Sequence, residues 1–277
     1  MKSLVLIAVW LALAPSLFAA SATFFSVADT TISPDNEALA NGASATMIAG
    51  HLPNPEVPSR ALFRFDLSGL PSGVVVTSAT VELTASVVAD PTVNTHLLHR
   101  LMLGWSEAGA SWTGTGGDSW ENAGGDFEPA SDVAAPIAGV GTYLFTSTPG
   151  LISTVQWWAT NATSNFGWVL RSAAEDSGRN GRRFNTREAA SNRPKLVVGY
   201  FVPPPPVTLT NARVAGANFR FEFTALPGSS YTVESRPRAD SGAWTTVRTH
   251  PAPPSPTVIP VQHALTPTNR FYRVVSP

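Results

Sequence analysis

The sequence contains no cysteine, which excludes disulfide staples, thiolate metal ligands and a cysteine nucleophile. It is poor in charge: 13% of its 277 residues are Asp, Glu, Lys or Arg, and 18 basic groups stand against 19 acidic ones. A near-neutral balance argues against a nucleic-acid or general polyanion binder, which carries a large basic excess. Only two lysines occur, Lys2 and Lys195. No G-x-S-x-G elbow and no glycine-rich phosphate loop is present. After residue 22 no segment is apolar enough to span a bilayer.

Proline is abundant by contrast, with 24 residues, as is tryptophan, with eight. The chain starts MKSLVLIAVWLALAPSLFAASA, in which a charged Lys2, an apolar run and small residues at Ala20 and Ala22 follow one another. This pattern predicts a signal peptide over residues 1–22 and a secreted, extracellular, periplasmic or cell-surface protein. Cleavage after Ala19 or Ala20 is the alternative. Pro203 to Pro206 form a stiff spacer that cannot feed a sheet with backbone donors. They predict a first domain over 23–202, a linker over 203–206 and a second domain over 207–277.

Period-two alternation dominates the first domain. Ala79, Val81, Leu83, Ala85 and Val87 alternate with polar residues, and Ala61, Phe63, Phe65 and Leu67 alternate with Arg60, Arg64 and Asp66. Further strands are predicted over 46–49, 95–103, 141–146, 166–172, 183–186 and 195–201. One helix is predicted from a Thr148 cap and Pro149, with a stripe of Leu151, Ile152, Val155 and Trp158. So many strands predict an all-β sandwich. The second domain alternates as well, through Phe219, Phe221 and Phe223, and reads as a small immunoglobulin- or fibronectin-like sandwich.

The chemistry-bearing residues fall in three places. The segment 104–128 is glycine-rich and carries Trp105, Trp112 and Trp120 among Glu107, Asp118, Glu121, Asp126 and Glu128. Aromatic planes framed by carboxylates suit a sugar surface, yet such a loop can equally cover a core. Trp120 and Trp157 are therefore read as contacts, Trp157 because Trp158 continues the helix stripe and leaves its neighbour exposed, and Trp105 and Trp112 as support. Between 171 and 195, seven basic groups face three acidic ones, and Arg179, Arg182 and Arg183 are read as contacts for uronates or sulfates. The alternative is structural ion pairing of Arg187 and Glu188 with the acidic loop. Asp29, Asp35 and Glu37 offer oxygen ligands for a structural calcium without EF-hand spacing. A glycosidase needs two carboxylates roughly 5–9 Å apart, and no spacing fixes such a pair. His96 and His99 face opposite sides of a strand and do not form a zinc pair.

Five ordered blocks complete the pattern: FFSVADTTI at 24–32, SRALFRFDLSGLPSGVVVTSATVEL at 59–83, WSEAGASWTGTGGDSW at 105–120, VQWWATNATSNFGWVLRS at 155–172 and FNTREAASNRPKLVVGY at 184–200. Together they resemble the DNRLRE-domain family, or carbohydrate-binding modules of family 96, over about residues 23–201. The resemblance implies a jelly-roll-like β-sandwich in secreted bacterial proteins that binds acidic or other complex polysaccharides, sometimes with calcium. It places Asp29, Arg64, Asp66, Trp158, Asn165, Gly167, Arg187, Glu188, Arg193 and Pro194 at recurring, mostly fold-specifying positions. The expected function is non-catalytic binding of an extracellular polysaccharide, with cell-surface or secreted proteins as further partners. A structural or adhesive protein without a sugar site is the alternative, and a polysaccharide lyase or hydrolase the remote one.

Overall fold

A computed structural model describes residues 19–35, 41–51, 57–88, 90–176, 178–203, 205–266 and 270–276. Most of the predicted signal peptide, together with Glu37 and Pro204, lies outside the described residues. Two compact units divide between Val202 and Pro203. Among the described residues no helix is long and apolar enough to cross a membrane.

The first unit contains strands β1 (Ala20–Ile32), β2 (Thr46–His51), β3 (Pro58–Phe65), β4 (Val75–Val88), β5 (Asn94–Arg100), β6 (Val133–Ile137) and β7 (Gly141–Phe145). Helix α1 (Pro149–Thr160) follows, then β8 (Trp168–Ser172), β9 (Arg182–Asn185) and β10 (Lys195–Phe201). These make one ten-stranded sheet folded over on itself. β1 is the corner: Ala20 to Phe25 pair with β10, a bulge falls between Ser26 and Ala28, and Ala28 to Ile32 pair with β3. The bulge turns the strand from one layer into the other. β10, β4, β7, β9 and β2 form one layer, and β3, β8, β5 and β6 the other. Ala20 to Ala22 already pair with Tyr200 to Val198, so the first three rungs of β1 precede Thr23.

The alternating residues fill the space between the layers. Phe63, Ala79, Val81, Leu83, Phe184 and Leu196 are all buried in one apolar cluster with Trp158 and Trp168. The helix closes an end of the sandwich as its pattern requires: Thr148 Oγ1 accepts the Leu151 N–H at 3.0 Å, and Leu151, Val155 and Trp158 pack inward. Val87 departs from the expected inward phase and is exposed, because the β4–β9 register shifts between Ala85 and Val87 and reverses the alternation. Gly167 enters β8 at φ +80°, where an added Cβ would lie 2.2 Å from the Phe63 carbonyl oxygen. Only glycine fits that approach.

The second unit carries β11 (Leu209–Ala215), β12 (Asn218–Ala225), β13 (Tyr231–Arg236), β14 (Thr245–His250), β15 (Thr257–Ala264) and β16 (Phe271–Val275). Two three-stranded antiparallel sheets, β11-β12-β15 and β14-β13-β16, share a core of Phe219, Phe221, Phe223, Tyr231, Val233 and Tyr272. Two guanidinium groups, from Arg236 and Arg273, each lie 4.4 Å from the Trp244 ring centroid. The chain is all-β, as its alternation predicts.

Candidate functional site

The two outer faces of the first unit differ. Over β3 and β8 lies the tryptophan-rich loop, and a second apolar cluster joins Ala28, Ile32, Leu62 and Val169 to Leu101, Trp105, Ala110 and Trp120. Trp105 donates its indole N–H to the Phe166 carbonyl at 2.8 Å, and Trp120 donates to the Ser111 carbonyl at 2.9 Å. Trp120 is only 5% exposed, so the expected sugar contact is corrected to a packing role. It packs in the cluster with Leu62 and Val169 of the sheet beneath. Arg60, expected to point into solvent, is instead folded under the loop. It pairs with Glu175 through two bonds of 3.0 and 2.6 Å, donates to the Gly124 carbonyl and lies 4.9 Å from the Trp112 ring centroid. Arg171 reaches the same Glu175 at 2.7 Å.

Arg182 is the second correction. It is fully buried, donating to the Thr92 and Gly181 carbonyls, and is unable to meet a polymer. Its burial follows from the strand register, since it shares the inward face with Phe184. Arg179 is exposed, Arg183 is half-buried on the outer face, and Trp157 is 47% exposed. These residues do not form one site. Gln156, beside Trp157, bonds Val76 and Val74 at the start of β4, whereas Arg183 pairs with Val87 near its end. Eleven strand residues separate the two places, roughly 35 Å.

The other outer face is open. Its register sets Phe25, Lys195, Glu82 and Leu144 side by side across β1, β10, β4 and β7. Three strand spacings make this row roughly 14 Å long. Phe25 is 57% exposed and Leu144 52%, while Lys195 and Glu82 pair at 2.9 Å between them. At the Phe25 end a cleft of about 340 Å³ is lined by Ser191, Asn192 and Arg193 together with Phe25, Glu82 and Lys195. Arg183 projects from the same face beyond the bulge in β4. The sequence carried a signal for Phe25: adjacent phenylalanines in an alternating strand must point to opposite faces, and Phe24 packs on the core.

The acidic residues gather elsewhere. Asp29, Glu107 and Glu188 bring carboxylate oxygens within 4.8 Å of one another. Asp35, expected to join Asp29, is exposed and accepts from Ser33 Oγ at 2.5 Å. That proline-flanked turn leaves β1 before it can fold back, so the cluster is completed by the tryptophan loop and the β9–β10 loop instead. Arg187 grips Glu107 at 2.8 and 2.7 Å and approaches Glu188 at 2.9 Å. Its backbone N–H donates to Asp29 Oδ2 at 2.9 Å. Burial pushes the Asp29 carboxyl up to about 7, against the bonds from Arg187 and Ser26 and together with Glu188 and Glu107. The pairing of Arg187 with Glu107 is the structural alternative considered for this basic stretch.

The first unit is thus a β-sandwich with one face sealed by a loop and the other presenting an aromatic ring beside cationic and carboxylate groups. Residues 20–115, from β1 into the tryptophan loop, match carbohydrate-binding module family 96. The resemblance carried by the ordered sequence blocks is borne out over that segment, which includes Phe25, Asp29, Glu82 and Glu107 and ends before Arg183, Glu188 and Lys195. No curated protein matches the chain.

Proposed function

We propose that the first unit is a secreted, non-catalytic module that binds an anionic polysaccharide on the open face of β1, β10, β4 and β7. The observation that carries this reading is the juxtaposition, beside the family match, of the exposed Phe25 ring with Lys195 and Arg193 around one cleft. A ring face packs against sugar C–H groups, and cations meet uronate or sulfate oxygens. Lys195, Arg193 and Arg183 contribute three positive charges to the face against the one carboxylate of Glu82. The hollow over the tryptophan loop, lined by Arg60, Glu121 and Phe127, is less suited, because its arginine side chain is only 12% exposed beneath the loop, against 33% for Lys195.

The test is affinity electrophoresis of the full chain in gels containing uronate-rich, sulfated or neutral polysaccharide. Retardation is expected in the acidic gels. Phe25→Ala and the double change Arg193→Ala, Lys195→Ala should each weaken it about tenfold, as loss of a central contact does. Trp157→Ala should leave it unchanged, since the neighbouring Gln156 bonds β4 at Val76, six strand residues and roughly 20 Å from Glu82. Migration unaffected by every polymer would sink the reading in favour of a structural or adhesive role.

A further inference from the structure

The Asp29 cluster has more negative charge than its surroundings answer. Three carboxylates and one guanidinium leave a formal charge of −2 where Asp29 is fully buried. The hydrogen bonds are also incomplete. Asp29 Oδ2 is satisfied by Ser26 and Arg187, but Asp29 Oδ1 is buried with no protein partner, and so is Glu188 Oε2. Buried polar atoms are overwhelmingly partnered, and two orphaned carboxylate oxygens at one place call for a donor or a cation. The ligand set is oxygen alone, without histidine or cysteine, which suits a hard divalent ion and disfavours zinc.

We infer that Asp29, Glu107 and Glu188 form a calcium site that clamps the β1 corner to the tryptophan loop and to the β9–β10 loop. One Ca²⁺ cancels the residual charge and gives Asp29 Oδ1 and Glu188 Oε2 their missing partner, with water completing the shell. Its three ligands come from segments separated by 78 and 81 positions, so the ion ties together pieces that the backbone ladder leaves independent. The tie lands on the residue just past the bulge where β1 changes layers.

Equilibrium dialysis of the EDTA-treated, desalted full chain against calcium chloride, with metal analysis, should give one Ca²⁺ per chain. At saturating calcium the Tm of the first unit should rise by about 5–10 °C over the EDTA sample. Magnesium should raise it less, since it demands a tighter octahedral shell. Glu188→Gln, at a partly exposed position, and Asp29→Asn should each lose the bound ion and the shift. Absence of stoichiometric calcium in the unaltered chain, or full retention of ion and shift in both variants, would overturn the assignment. Neither readout involves polysaccharide, so this test stands or fails apart from the binding proposal.

Discussion

His96 shows how a single side chain sets a pH limit. Its ring is fully buried against the Phe184 edge, with Nδ1 3.3 Å from the Asn94 carbonyl and Nε2 3.4 Å from the Ala49 carbonyl. Burial, together with the nearby Arg182 guanidinium, pushes its pKa down to about 4 despite those two carbonyls. The folded protein then binds fewer protons than the unfolded chain between about 6.5 and 4. Stability contributed by His96 is complete above pH 6.5 and falls as pH drops through that window, by about 3 kcal/mol in all. Urea denaturation at pH 7 and pH 4.5 should show a smaller acid loss in His96→Gln than in the parent. An equal loss in both would assign the acid sensitivity to other groups. The sequence placed His96 in a strand but held no sign of this burial, because the Phe184 and Ala49 that enclose it lie on β9 and β2.

At the level of elements, the tryptophan loop is the clearest case of a structure made by its cover. Alternation alone implies that Leu62 and Val169 face solvent, yet both are fully buried beneath Trp105 and Trp120. Arg60 holds that cover through the Gly124 carbonyl and is itself fixed by Glu175, with side chains 12% and 5% exposed. Among the described residues Glu175 is the only carboxylate that Arg60 and Arg171 bond, and Glu175→Gln should cost about 3 kcal/mol, as breaking a buried pair does. The near-ultraviolet tryptophan signal should weaken with it. A loss below about 0.5 kcal/mol would mean that apolar contacts alone seat the loop. The helix was fully legible in sequence, since a cap, a first-turn proline and a stripe are local signals. The loop was only half legible: its aromatic content was plain, but which rings face inward depends on the strand beneath them.

Across the whole molecule, the two units bury separate cores, and every residue of the proposed binding face belongs to the first. Phe221 sits at the centre of the second core, 1% exposed. Phe221→Ala should destabilise the second unit by about 3–5 kcal/mol. Polysaccharide retardation should stay at the parental value. Loss of retardation alongside the second unit's melting would show that binding draws on both units.

By itself the sequence determined the all-β class, the strand alternation, the capped helix and the family resemblance, because these rest on periodicity, caps and motifs read within short stretches. Tertiary structure decided which charged and aromatic residues meet. Burial turned Trp120 and Arg182 from surface candidates into packing residues. Register brought Phe25, Lys195 and Glu82 into one row from three distant strands. The fold-over at β1 gathered Asp29, Glu107 and Glu188, where sequence proximity had pointed to Asp35 and Glu37. Each outcome depends on contacts between residues dozens of positions apart, and no local pattern encodes the register that sets them.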